Sequence, residues 1–110
     1  MSSVVFAQGQ ENSEPKAYKF DEFGKISNRE FDKRFTKFLV KIQYEEPTST
    51  GYIINYGKAS DVAKRERQIR NRISFRQYQA YRIVIVNGGL SKKLKTVIWI
   101  VPQGAEPPTP

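Results

Sequence analysis

Hydrophobic positions along the chain fall into short blocks whose period changes from one block to the next. Residues 17–21 alternate, with Tyr18 and Phe20 on one side and Lys19 and Asp21 on the other, which predicts a first strand. Phe31, Phe35, Phe38, Leu39 and Ile42 then recur at helical spacing, behind a cap at Ser27 or Asn28 and ahead of a stop at Pro47. A connecting loop is expected over residues 45–50. Residues 51–56 are β-branched and aromatic and end at Gly57, the mark of a half-buried strand, with Ile53 and Ile54 on opposite sides. Ser60 and Asp61 open a second helix over about residues 61–75, whose apolar stripe is thin: Val62, Ile69 and Ile73. After a loop at 77–80, residues 83–86 are apolar at every position, as in a strand buried on both faces. Asn87-Gly88-Gly89 suits a reversal, 90–94 widens the connection, and residues 95–101, with Trp99, form the last strand before Pro102.

The predicted order is βαβαββ. Strand-helix-strand crossovers are right-handed, so both helices should cover one face of a mixed four-stranded sheet, giving a two-layer α+β sandwich. A chain of 110 residues has room for one core. Residues 1–16 read as a disordered leader and 103–110 as a proline-rich flexible tail. Val5-Phe6-Ala7 presents small or aliphatic residues where a signal peptidase reads. The apolar stretch is too short for a working signal, so the leader is either the stump of an export signal or an ordinary mobile terminus. The stump reading favours a periplasmic or secreted protein.

Composition narrows the chemistry. Nineteen Lys and Arg against eleven Asp and Glu give a formal charge of +8, which favours anionic partners. Cysteine is absent, so no disulfide or thiolate site exists. Histidine is absent too, which removes the commonest general base and metal ligand. There is no nucleophile elbow and no phosphate-cradling glycine loop, and the neighbouring carboxylates Glu45-Glu46 and Asp21-Glu22 do not face one another. The expectation is a non-enzyme with no cofactor, no metal and no transmembrane segment.

The βαβαββ order, the glycine turn after strand two and the spacing Arg65-x-x-x-Ile69-x-x-x-Ile73 resemble the OmpA-like domain, a periplasmic module that holds peptidoglycan. The resemblance covers residues 18–101, within a domain drawn at 17–102. It implies the sheet order 1-4-2-3 and places Arg65 at the family's ligand-gripping arginine. Lys93 and Lys95 stand near its paired basic residues before the final strand. Where the family ends strand two in an aspartate that recognises diaminopimelate, this chain has Asn55-Tyr56-Gly57-Lys58.

Arg65 is the expected ligand contact, because a guanidinium meets a carboxylate in a planar two-point grip; the alternative is a solvated helix arginine. Lys58, in the turn, and Asp61, in the first turn of the helix, complete the expected anion or carboxylate site. Lys64, Arg67, Arg70, Arg72 and Arg76 form a basic surface which, with Tyr78 and Tyr81 nearby, supports a second reading, nucleic-acid binding. The uncovered sheet face, at Trp99 or Ile98, supports a third: a structural subunit that self-associates or joins another envelope protein.

Overall fold

The computed structural model describes residues 14–75 and 82–110. Most of the expected leader, the loop at 77–80, Arg76, Tyr78 and Tyr81 lie outside the described residues. Strand β1 spans Tyr18–Phe23, helix α1 Asn28–Val40, strand β2 Thr50–Tyr56, helix α2 Ala59–Phe75, strand β3 Ile83–Gly89 and strand β4 Lys95–Val101. The sheet order is β1-β4-β2-β3, with β2 and β3 parallel and β4 antiparallel to both of its neighbours. This is the α+β class, element order and strand order expected above.

Helix α1 forms where its stripe requires. Ser27 caps it, accepting a hydrogen bond from Glu30 N at 3.1 Å. Phe31, Phe35, Phe38 and Leu39 are all buried, and Phe31 and Phe35 stack with ring centroids 5.3 Å apart. The helix loosens into a π turn at Lys41–Glu45, where the sequence suggests only the helix end and a loop. Glu46 N closes this turn on Lys41 O at 2.9 Å, and Ile42 stays buried. Arg82 holds the turn from the start of β3: its Nη2 donates to the carbonyls of Ile42, Glu46 and Ser49 at 3.3, 3.1 and 2.6 Å. A cation among carbonyls at a helix end is electrostatically favoured.

Strand β1 departs from simple alternation. Lys19 pairs with Trp99 and Asp21 with Ile98, so Phe20 is an extra residue, a β-bulge. Three positions apart, Phe20 and Phe23 would face opposite sides of a regular strand. The bulge rephases them, so that Phe20 packs on Phe38 and Phe23 on Phe31, with centroids 6.0 Å apart in each case. The strand therefore runs on to Phe23 instead of ending near Asp21.

The Asn87-Gly88-Gly89 stretch is not the reversal it suggests. It continues β3 through an irregularity at Gly88, with Asn55 opposite Asn87 and Tyr56 opposite Gly89. Asn87 Oδ1 accepts from Gly89 N at 2.9 Å. Because β4 inserts between β1 and β2, the chain from β3 must pass over the end of β2. It does so at Gly57, whose φ is 149° and whose added Cβ would lie 3.2 Å from Leu94 Cα. Glycine is needed there for both reasons.

Both helices pack on one face, where Phe31, Phe35, Phe38, Ile53, Ile69, Ile73, Ile98 and Ile100 share a core. The register of β4 puts Thr96, Ile98 and Ile100 towards the helices and Val97, Trp99 and Val101 away from them. Ile98 is therefore fully buried and forms no part of an interface surface, contrary to the expectation; Trp99, on the outer face, is partly exposed. That outer face is not bare either. Tyr56 lies across Gly88, Lys95 sits 4.7 Å over the Tyr56 ring, and Ile54 and Val97 are buried beside them. The C-terminal tail makes contacts that its composition does not suggest. Ala105 N bonds Pro102 O at 3.0 Å, and Ala105 and Pro107 border a groove shared with Tyr52 and Val84.

One tie across the fold titrates. Tyr18 Oη donates to Glu46, which also accepts from Ser49 Oγ at 3.1 Å. Loss of water around the phenol, the hydrogen bond to Glu46 and the charges of Glu46 and Glu45 together hold Tyr18 well above the usual tyrosine range. Folding thus favours the neutral phenol. That share of stability is fully present below about pH 10. Above it the unfolded chain ionises first, and stability declines as pH rises towards the folded value. Urea midpoints measured up the alkaline range should fall less steeply in Tyr18→Phe than in the parent chain.

Candidate functional site

Helix α2 turns Val62, Arg65, Ile69 and Ile73 inward. Position 65 lies between Val62 and Ile69 on the helical row that packs on the sheet, so a cation occupies a core-facing slot. Arg65 is only 4% exposed, which excludes the solvated-arginine alternative. Its Nη1 donates to Thr96 Oγ1 at 2.6 Å, its Nη2 to Gly24 O at 3.0 Å and its Nε to Gln68 Oε1 at 3.1 Å. The guanidinium carbon lies 5.1 Å from the Phe23 ring centre and 5.6 Å from that of Phe31, so it sits in an aromatic corner. Every one of those hydrogen-bond acceptors is neutral. Among the described residues no carboxylate stands within ion-pair distance of Arg65. Burial pushes its pKa down, yet an arginine starts so far above neutrality that it remains charged.

The network continues inward. Thr96 and Asn55 are register partners on β4 and β2, and Thr96 Oγ1 donates to Asn55 Oδ1 at 2.6 Å. Both residues are fully buried. Asn55 Nδ2, also buried, has no hydrogen-bond partner among the described residues.

Arg65 lines an open cleft of about 450 Å³ between α2, the β1–α1 loop and Leu94. Asp61, one helical turn before it, shares the cleft, with Lys25, Lys64 and Arg67 on the walls and Asn28, Gln68 and Asn71 along the helix seam. Four cations and one carboxylate give the lining an excess of positive charge. Gln68 Nε2 donates to Asn28 Oδ1 at 3.2 Å and fixes the seam.

The structure brings Arg65 and Asp61 together and leaves Lys58 apart. Lys58 is exposed, lies outside the residues lining the cleft, and serves the helix start through its carbonyl, which accepts from Val62 N at 2.9 Å. Of the expected basic surface, Lys64, Arg67 and Arg70 are exposed, while Arg72 is committed to Asp32 of α1 at 2.7 Å and to the Phe75 ring. Sequence reasoning missed Asn55, Thr96, Lys25, Gln68 and Asn71. Asn55 and Thr96 carry a usable signal, since each is polar at a core-facing position, in phase with Ile53 on β2 and with Ile98 and Ile100 on β4.

Among the described residues no group of three or more Asp, Glu, His or Cys is placed to hold a metal ion, and no helix is long and apolar enough to cross a membrane. No family model, curated protein or solved structure matches the chain.

Proposed function

We propose that the domain is a non-catalytic binding module of the cell envelope, akin to OmpA-like domains, whose cleft takes a carboxylate of the peptidoglycan stem peptide on Arg65. The observation that carries this reading is the buried guanidinium with neutral partners only. A desolvated charge is costly unless it is paired, and the natural complement is an anion that the ligand supplies. The planar fork suits a carboxylate, and the other cations around the cleft raise the local concentration of anions. Asp61 stands where an amine of the same ligand would be met, although the family's strand-two aspartate is absent.

The experiment is calorimetric titration with a diaminopimelate-containing tripeptide and with its fully amidated counterpart. Micromolar binding of the first and none of the second is expected; equal binding, or none by either, overturns the proposal.

A second reading, nucleic-acid binding, draws on exposed Lys64, Arg67 and Arg70, none of which is ion-paired among the described residues. With Arg65 buried and Arg72 engaged, the stripe is short. A duplex or single-strand titration whose affinity falls steeply with salt would favour it over the wall ligand.

A further inference from the structure

We propose that Asn55 and Thr96 are positioning residues that hold the Arg65 guanidinium while leaving its charge unneutralised, so that the ligand's carboxylate is its only counter-ion. The inference rests on the carboxylate reading of the cleft and goes beyond it by assigning a role to two buried strand residues that do not line the cleft.

The direction of the hydrogen bonds carries the inference. Thr96 has one hydroxyl proton. Its oxygen accepts from Arg65 Nη1 at 2.6 Å, and its proton goes to Asn55 Oδ1 at 2.6 Å. This arrangement fixes the Asn55 amide with its oxygen towards Thr96 and its Nδ2 away, where that buried donor has no partner among the described residues. The chain of bonds therefore runs outward from the cation and ends on a neutral carbonyl oxygen. It is polarised towards Arg65 and supplies no negative charge. The remaining acceptors, Gly24 O and Gln68 Oε1, are neutral as well.

Asparagine at position 55 accepts the Thr96 proton but leaves its own buried Nδ2 unmet and adds no charge. An aspartate there would keep the bond from Thr96, remove the unmet donor and place a carboxylate within two hydrogen-bond lengths of Arg65. It would also satisfy internally the charge that the cleft offers to a ligand. Stability and binding are thus set against each other at one atom, Asn55 Nδ2. A merely structural role for the pair would move both in the same direction.

The test compares the full chain with its Asn55→Asp and Asn55→Leu variants, following thermal unfolding and calorimetric titration with the diaminopimelate tripeptide. Asn55→Asp is expected to raise the unfolding midpoint and weaken the tripeptide at least about tenfold, the lower end of what one adjacent opposite charge does to an ionic equilibrium. Asn55→Leu, which adds no charge but removes the acceptor of the Thr96 proton and so loosens the hold on Arg65, should bind more weakly than the parent yet clearly more tightly than Asn55→Asp. Asn55→Asp with unchanged affinity, or with a lowered midpoint, overturns the inference while leaving the carboxylate reading intact. Loss of binding in Asn55→Leu equal to that in Asn55→Asp overturns it too, because packing and not charge would then be responsible. If the parent chain does not bind the tripeptide, the carboxylate reading fails by itself. The unfolding midpoint of Asn55→Asp then decides whether Arg65 is an uncompensated charge.

Discussion

Phe35→Ala is expected to destabilise the domain by about 3–5 kcal/mol, the range for emptying a buried aromatic site. Phe35 is fully buried at the centre of α1, nearly parallel to Phe31 and 5.4 Å from the tilted Phe38 ring. Its removal opens a gap that neither neighbour fills, because Phe31 is engaged with Phe23 and Phe38 with Phe20. The surroundings are pinned as well. Gly51 lies so close to Phe38 that an added Cβ would fall 2.3 Å from Phe38 Cζ, so that ring is held against the backbone of β2. Against a total stability of about 5–15 kcal/mol, the loss should lower the thermal midpoint by more than roughly 10 °C. A circular-dichroism melt checks this, and a change below about 1 kcal/mol would mean that the rings do not interlock as described.

The second large effect is on binding. Arg65→Ala should cost the carboxylate ligand about 2–5 kcal/mol, the usual loss when one partner of a desolvated charge pair is truncated. Its effect on folding should be smaller, because opposing changes meet there. Gly24 O and Thr96 Oγ1 lose their donor and the Phe23–Phe31 corner loses its cation, but the cost of a buried unpaired charge disappears. Arg65→Lys separates charge from geometry. It keeps the cation and loses the planar fork, so it should bind more weakly than the parent and more tightly than Arg65→Ala. Titrating the tripeptide into both variants, with their melting curves alongside, distinguishes a ligand contact from a core prop.

Much of the architecture was legible in the chain. The period change from β2 to α2 and back to β3 marks a crossover, and the stripe from Phe31 to Ile42 marks a helix with little ambiguity. What escaped has identifiable causes. A β-bulge defeats strict alternation, so the simple period hides that Phe20 and Phe23 share a face. The Asn-Gly-Gly stretch carries the chemistry of a tight turn, but β4 leaves β3 to pair beside β2, and the reversal moves on to residues 90–94. The chemistry of Arg65 marks it as a ligand contact, and its burial follows from a row visible in the sequence: Val62, Ile69 and Ile73 leave position 65 facing inward. Asn55 and Thr96 were hidden differently, because their meaning depends on the β2–β4 register, which joins residues 41 apart in sequence.

These readings share one claim: Arg65 is a buried cation whose carboxylate partner arrives with the ligand. The most direct measurement follows the Arg65 side-chain Nε–H resonance by nuclear magnetic resonance during titration with the diaminopimelate tripeptide. The account predicts a distinct signal, assigned by its loss in Arg65→Lys, that moves saturably as peptide is added. A signal unmoved up to millimolar peptide, with shifts confined to exposed Lys64, Arg67 and Arg70, would contradict it.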